Sequence, residues 1–169
     1  MTIYDMFTSI VAHTATKSGI AVSYQYGHPI EIIENLQEMS LNLTQSAAKY
    51  PLIALFTDVS ETKGEADGVD MSVKLHLIIA TLTLNSYKSP ERLTLNFTPV
   101  LYPLYEQLLK SIASSGYFLN PNAEKIEHEK VDRFFWGKNG LYLNTGNVFN
   151  DYVDCIEVSN LKLTVKKQC

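Results

Sequence analysis

The sequence predicts an α+β fold on a mainly antiparallel four-stranded sheet, packed by an N-terminal and a central helix. Residues 50–84 contain two runs of aliphatic and β-branched side chains, separated by a polar stretch that includes Gly64 and Gly68. This arrangement is typical of a long antiparallel hairpin. Residues 98–113 repeat apolar side chains at helical spacing, which predicts a helix that covers the hairpin.

The second strand of the hairpin alternates at first and then becomes apolar on both faces. Lys74 and His76 share one face, and the other face carries Val73, Leu75, Leu77 and Ile79. Beyond Leu77 the first face is apolar as well, at Ile78, Ala80, Leu82 and Leu84. A half-buried strand needs only one apolar face. We therefore expect one end of the sheet to be covered on both faces, by helices or by a neighbouring subunit.

Three elements are predicted before the hairpin. Residues 2–16 have the apolar spacing of an amphipathic helix, and Gly19 lies where the end of a helix favours glycine. Residues 20–26 alternate between apolar and polar side chains, as a strand does. The weaker helical pattern over residues 30–49 predicts one helix or two short helical turns.

Three further elements are predicted after the hairpin. The central helix is expected to begin at Thr98, because a threonine N-cap before Pro99 is a favourable start. Its apolar stripe consists of Leu101, Leu104, Tyr105, Leu108 and Ile112. Residues 117–153 have little periodicity and are predicted to form an irregular arm. Residues 155–165 alternate again, with a slip that predicts a β-bulge at residues 159–160.

Length and composition indicate a folded, cytoplasmic protein. A chain of 169 residues can bury roughly 70% of its unfolded surface as one domain, so we expect a single domain over residues 1–169. The net charge of −4 argues against nucleic-acid binding. No apolar run approaches the roughly 18 residues of a membrane helix, and the N-terminus lacks the pattern of a signal peptide. Cys155 and Cys169 are therefore expected to be reduced thiols.

The sequence contains no recognisable pattern of catalytic or metal-binding residues. The four histidines, His13, His28, His76 and His128, lack the paired spacing of metal ligands. Glu127 and Glu129 flank His128, but groups of this kind occur often by chance. No Gly-Lys-Ser/Thr follows the hairpin glycines, and no Gly-x-Ser-x-Gly elbow is present. We therefore expect no catalytic residue, no cofactor and no metal ion.

Two groups of residues are candidate contact surfaces. The first is the consecutive aromatic group Phe134, Phe135 and Trp136, which precedes a glycine-rich turn. In an extended segment Phe135 points away from the other two, so one side can pack on its own domain while the other faces a partner. Alternatively, the three side chains fill core space under the arm. The second group is the acidic hairpin loop, with Asp58, Glu61, Glu65 and Asp67. Its residues predict a solvated tip, and a contact role for it is implied only by the resemblance to a protein family given below.

Three stretches of sequence resemble proteins of tailed phages and prophages of Bacteroidetes-type bacteria. They are YPLIALFTD at residues 50–58, FTPVLYPLYEQLL at residues 97–109 and NDYVDCIEV at residues 150–158. The group that they resemble is the tail-completion or tail-terminator class. Its members are small α+β subunits that form a ring at the head–tail junction. The resemblance runs over most of the chain and includes no catalytic signature.

This resemblance implies a structural protein of the virion, made in the bacterial host cytoplasm and placed at the head–tail junction. Its implied partners are copies of itself and neighbouring neck or tail proteins, with no cofactor, no membrane and no sequence-specific nucleic acid. Adaptor, stopper and terminator rings all remain open. The alternative from a different class is a small cytoplasmic α+β enzyme or binding module of unknown ligand.

Overall fold

The computed structural model describes residues 1–57, 59–62, 71–119, 122–136 and 151–166. In chain order, its elements are α1 (Ile3–Ser18), β1 (Ser23–Gly27), α2 (Pro29–Ser40), α3 (Leu43–Ala47), β2 (Leu52–Phe56), β3 (Ser60–Thr62), β4 (Met71–Leu82), α4 (Ser89–Arg92), a π-helical segment (Leu93–Leu101), α5 (Tyr102–Ser114), a 3₁₀ turn (Ala123–Lys125), β5 (Glu129–Trp136) and β6 (Val153–Val165). The α+β class predicted from the sequence is confirmed.

The strands form one sheet in the order β1-β2-β4-β6-β5, and the short β3 pairs with β4 beyond the end of β2. Only the β1–β2 pair is parallel among the described strands. The predicted count of four strands is wrong, because β3 and β5 also belong to the sheet. Strand β3 lies next to the expected hairpin turn, and β5 lies within the expected irregular arm.

The predicted hairpin is present as β2 and β4, with Ile53 opposite Ile79. Helices α1 and α5 cover one face of the sheet and enclose the larger core, which includes Leu55, Leu77 and Ile156. Helix α2 covers part of the other face, where Ala54, Ala80 and Cys155 are buried. Ile78 and Ala80 of the second apolar face are therefore covered by a helix, as expected, whereas Leu82 at the end of β4 and Leu84 just after it stay 48% and 54% exposed.

The apolar stripe of the central helix is buried as predicted, at Leu101, Leu104, Leu108 and Ile112. The predicted start at Thr98 is wrong. Helical backbone already begins with α4, and both Thr98 and Pro99 lie inside the π-helical segment. Proline has no N–H to donate, and the Tyr102 N–H bonds to the Phe97 carbonyl five residues back, the hydrogen-bond spacing of a π-helix.

Two local predictions are confirmed by backbone geometry. Gly19 ends α1 in the left-handed conformation with φ 70°, where glycine has no steric penalty. The bulge in β6 is also present. Leu75 faces Leu161 and Leu77 faces Val158, so β6 contains one extra residue there, and Asn160 has φ 53°.

The prediction of an irregular arm over residues 117–153 is wrong in part. After α5, Phe118 forms an isolated bridge to Val165, and β5 then runs antiparallel to β6. The sequence of β5 alternates poorly because β5 is an edge strand that carries charged and aromatic side chains on both faces. Residues 120–121 and 137–150 of the expected arm lie outside the described residues.

Candidate interaction surface

The structure separates the two predicted contact groups. Glu61 of β3 pairs with Val73 near the first residue of β4. Trp136 pairs with Val153, which in turn pairs with Leu82 at the last residue of β4. A strand of 12 residues spans roughly 35–40 Å. One compact contact surface therefore does not contain both Glu61 and the aromatic group.

The other acidic candidates, Asp58, Glu65 and Asp67, lie outside the described residues. The side chains of Glu61 and Trp136 also lie outside the described part of the structure, although the backbones of these two residues belong to β3 and β5. The acidic hairpin loop thus stays a prediction. Of the sequence candidates, Phe134 and Phe135 are the two whose side chains the structure describes.

A buried arginine organises the end of the sheet where Phe134 and Phe135 lie. Arg92, the last residue of α4, is buried, and its Nη1 donates to Asp154 Oδ1 and to Thr83 Oγ1, each at 3.0 Å. Its other nitrogens donate to the carbonyls of Leu84 and Tyr87, at 3.1 and 3.0 Å. The guanidinium therefore joins α4 to β4 and β6.

Asp154 is fully buried, and it accepts hydrogen bonds from two further elements besides being paired with Arg92. Asn96 Nδ2 donates to its Oδ2 at 2.7 Å, and the Phe135 N–H donates to its Oδ1 at 2.7 Å. Buried ion pairs are stable only when their remaining hydrogen-bonding capacity is satisfied. This condition is met here. We call the group of Arg92, Asp154, Asn96, Thr83 and Phe135 the Arg92 node.

Phe135 has an unusual backbone conformation within the node. Its φ is 58°, a left-handed value that costs a non-glycine residue about 1–3 kcal/mol and is found mainly where the surroundings impose it. Here the hydrogen bond to Asp154 fixes the backbone. The ring stacks on Tyr152 at 4.9 Å and lies 4.7 Å from the Arg92 guanidinium. Phe135 therefore packs on its own domain.

Phe134 lies between the core and solvent. Its ring contacts the buried ring of Phe97 edge to face, with centroids 4.8 Å apart. Nevertheless, 45% of Phe134 is exposed. Phe134 is thus fixed by the core on one side and leaves the other side available for a partner.

Exposed apolar side chains surround the Arg92 node. Leu82 and Leu84 flank Thr83, Leu93 follows Arg92, Leu95 precedes Asn96, and Phe134 precedes Phe135; these five residues are 43–54% exposed. The arrangement follows from local geometry, because burial of one residue in a strand or helix turns its neighbours outward. We call Leu82, Leu84, Leu93, Leu95 and Phe134 the apolar rim. The polar node supplies rigidity, and the rim supplies exposed apolar surface.

A second buried cation holds the start of β6 from the opposite side. Lys49 Nζ, which is buried, donates to Asp151 Oδ2 at 2.6 Å and to Ser40 Oγ at 2.7 Å. The Tyr50 hydroxyl also donates to Asp151 Oδ2, at 3.0 Å. Burial, followed by the negative charge of Asp151, raises the pKa of Tyr50. Lys49 and Arg92 together fix residues 151–154.

The helix-facing side of β5 carries a polar cluster against α5. The Tyr102 hydroxyl donates to Asp132 at 2.8 Å, and this hydrogen bond raises the pKa of Tyr102. Lys130 also bonds Asp132 and lies 4.7 Å from the Tyr102 ring centroid. These contacts hold β5 against the central helix, α5.

One contact joins a histidine to a serine, two residue types that occur together in hydrolase active sites. His13 Nδ1 lies 3.2 Å from Ser111 Oγ, beside a cavity of about 240 Å³. No carboxylate of the described residues contacts the His13 imidazole. The serine lies in the last turn of α5, where the helix dipole is negative and would disfavour an oxyanion. The pair therefore has neither the orienting acid nor the oxyanion stabilisation of a catalytic serine.

The remaining histidines have identifiable structural partners. His28 caps α2 by accepting the Ile30 N–H at 3.3 Å, and His76 Nε2 lies 3.0 Å from Glu157 Oε1. His128 bonds the Tyr105 hydroxyl through Nε2. Among the residues that the structure describes, no three His, Cys, Asp or Glu side chains come close enough together to hold a metal ion. No described helix has the length and apolarity to cross a membrane.

Arg92 and Asp154 were not predicted from the sequence. Asp154 has a local signal, because a carboxylate between Val153 and Cys155 interrupts an apolar run that continues to Ile156. A charge in such a run predicts a buried partner. The identity of that partner had no local signal, since Arg92 lies 62 residues away.

Comparison of the chain with protein-family models, with curated protein sequences and with solved structures gives no significant match.

Proposed function

We propose that this chain is a structural virion protein of a tailed phage, which assembles with copies of itself into a ring at the head–tail junction. The class that it resembles is that of tail-completion or tail-terminator proteins, and a neck connector is the related possibility. Its partners are its own copies and the neighbouring neck or tail proteins. It acts without a cofactor, in the virion, after synthesis in the host cytoplasm.

The observation that carries this proposal is the apolar rim on a rigid support. Five large apolar side chains lie half-exposed around one buried ion pair. Exposed apolar clusters of this kind mark protein contact sites. Because the Arg92 node fixes the backbone under the rim, docking a partner there requires little additional ordering, and this lowers the entropic cost of binding.

The stretches that resemble phage proteins provide further support. Tyr50, in the first stretch, bonds Asp151 of the third. Asn96, next to the second stretch, bonds Asp154 of the third. The first and third stretches thus meet at the start of β6, and the residue before the second stretch bonds the third there.

Electron microscopy of the assembled particle tests the proposal. Purified protein, labelled and added to tails that lack it, should form a ring at the head-proximal end of the tail. The variant Leu95→Glu should fail to form the ring, because a charge in the rim must be desolvated on contact. The matched control Leu119→Glu changes an exposed leucine beside Phe118, which pairs near the other end of β6. A single copy on the particle, or none at the junction, would overturn the proposal.

A small-molecule binding module or hydrolase is the second candidate, and the cavity beside His13 and Ser111 is the observation that favours it. Screening with ester, phosphoester, peptide and glycoside substrates tests it. Hydrolysis that is lost in both Ser111→Ala and His13→Ala, while their unfolding curves stay unchanged, would favour the enzyme over the ring subunit.

A further inference from the structure

The two edges of the sheet differ in how they are protected. Strand β5 forms one edge and β1 the other. Strand β5 has a left-handed residue, Phe135, near its end, and four of its eight residues are charged: Glu129, Lys130, Asp132 and Arg133. Charges and backbone irregularities of this kind prevent the edge strands of natural proteins from pairing with other strands. The edge at β5 is therefore protected.

The edge at β1 carries no charge. Residues 18–30, which include β1, contain no Asp, Glu, Lys or Arg, and β1 itself contains no proline. Tyr26 of this strand is 53% exposed, and its ring stacks on Tyr4 with centroids 4.8 Å apart. Aromatic residues favour extended backbone. An uncharged edge of this kind is a template for pairing with another strand.

The hydrogen bonds between β1 and β2 show which backbone groups of β1 are free. The Ser23 N–H donates to the carbonyl of the residue before β2, and the Gly27 carbonyl accepts the N–H of the residue after β2. Alternate residues of a strand bond to the same neighbour. The N–H and C=O groups of Tyr24 and Tyr26 therefore point to the open edge, where no described residue bonds them.

Tyr24 and Tyr26 can bond each other across a twofold axis. In an antiparallel pair, two residues that face each other with outward backbone groups exchange both hydrogen bonds. When a second copy of β1 runs antiparallel with Gln25 opposite its own counterpart, Tyr24 of each copy faces Tyr26 of the other. This register uses every outward N–H and C=O of the two tyrosines. An open strand edge thus specifies its occupant, because only another extended backbone matches its hydrogen bonds.

The side chains of β1 suit a second copy of the same strand. Tyr24 and Tyr26 lie on one face, since they are two residues apart, so the twofold pairing brings their aromatic rings together across the strands. A twofold axis also places each residue near its own counterpart, and like charges facing each other are destabilising. Strand β1 has no such charge. It also offers no counter-charge to the charged residues of β5.

We infer that two copies of this chain join through β1, antiparallel about Gln25, and so form one continuous sheet. The inference goes beyond the proposed function and does not rest on it. The apolar rim has no residue on β1, so the two contacts use different parts of the chain.

Sedimentation velocity over a range of protein concentrations tests the contact. The unchanged chain should form dimers, and Tyr26→Pro should weaken dimerisation because proline lacks the outward N–H. The folded monomer should tolerate this proline, since the N–H of an edge strand that faces solvent bonds nothing there. Tyr26→Ala is the matched control, because it removes the ring and keeps the N–H.

We expect the dissociation constant of the dimer to be at least about tenfold higher in Tyr26→Pro than in Tyr26→Ala. Thermal unfolding of both variants, followed by circular dichroism, checks that each is folded. A chain that stays monomeric at every concentration would overturn the inference, as would equal dimerisation of the two variants.

A disulfide tests the register independently of these variants. Facing residues whose backbone groups point away from each other have Cα atoms about 4.5 Å apart, within the range of about 4.4–6.8 Å that a disulfide spans. Gln25→Cys, combined with Cys169→Ser, should therefore form a covalent dimer on mild oxidation. Cys155 can stay, because it is buried and burial raises its thiol pKa to about 12, which keeps it unreactive.

Ser23→Cys in the same background is the control for the register. In a pairing centred on Gln25, the two copies of residue 23 lie about 13 Å apart along the strands, so this variant should form at most a tenth as much covalent dimer. Equal yields, or no disulfide in Gln25→Cys, would overturn the twofold register.

These results are distinguishable from a failure of the proposed function. A Gln25→Cys dimer in a protein that never locates to the head–tail junction would overturn the function and leave the inference standing. A ring at the junction from a protein that forms no such dimer would do the reverse.

Discussion

Arg92 and Asp154 form an ion pair at 3.0 Å, with 6% and 0% of their side chains exposed. The pair joins the start of the long helical segment to the second residue of β6. The residues next to the Arg92 node in sequence form the apolar rim. Removing one partner would leave a buried charge without compensation, whereas the intact pair has its hydrogen bonds satisfied. The stability and the shape of the proposed contact surface thus depend on the same two residues.

Asp154→Asn should lower the free energy of unfolding by about 3–5 kcal/mol, because it leaves the Arg92 guanidinium buried and unpaired. The measurement is chemical denaturation followed by circular dichroism. Glu127→Gln is the control, since the Glu127–Lys162 pair is exposed and should contribute less than about 1 kcal/mol. Equal effects of the two substitutions would show that burial does not govern the Arg92 pair.

Leu108→Ala should cost about 2–5 kcal/mol through lost burial and the cavity that it leaves. Leu108 is 1% exposed at the centre of the stripe that α5 packs on the sheet. Leu93→Ala removes the same atoms from a half-exposed site and should cost less than about 1 kcal/mol. A loss below about 0.5 kcal/mol for Leu108→Ala would place it outside the core.

Phe134→Ala should impair ring assembly more than it impairs folding. It loses an edge contact of about 0.5–1.5 kcal/mol with Phe97 and part of its burial. Phe97→Ala should instead cost about 3–5 kcal/mol, because Phe97 is fully buried. Stability and ring formation are to be measured on the same preparation, and normal assembly of Phe134→Ala would place the contact elsewhere.

Trp136→Ala provides a parallel test of the aromatic group. We expect it to weaken assembly while changing the stability of the monomer by less than about 1 kcal/mol, well below the roughly 3–5 kcal/mol of a core tryptophan. Unfolding of this variant would instead assign Trp136 to the core.

Stability should fall at alkaline pH, partly because of Cys155. Burial raises the pKa of its thiol in the folded protein from 9.0 to about 12. Between these values the unfolded chain loses the thiol proton while the folded chain keeps it. The free energy of unfolding therefore decreases as pH rises from about 9 to 12, by up to about 1.4 kcal/mol per pH unit for one group.

Cys155→Ala should reduce this slope without changing its sign, because Tyr24 and Tyr50 also have pKa values raised by burial. The measurement is the urea denaturation midpoint as a function of pH. An unchanged slope in Cys155→Ala would show that the thiol does not contribute to the pH dependence.

Local patterns in the sequence predict the elements whose signals are local. The cap at Gly19, the hairpin of β2 and β4 and the leucine stripe of α5 each depend on residues within a few turns or one strand pair. The bulge near Asn160 was also readable, because a shift in alternation occurs within one strand. In these cases side-chain periodicity and backbone conformation are directly coupled.

Elements whose stability comes from distant partners become visible only in the folded chain. Strand β5 exists because it pairs with β6, with Lys130 opposite Val158, and its own alternation is too weak to predict it. Pro99 lies inside a π-helical segment that its own sequence signal does not predict, and Arg92 pairs with a carboxylate 62 residues further along the chain. A charged residue within an apolar run predicts a buried charge. Only the fold determines which opposite charge lies within hydrogen-bonding distance of it.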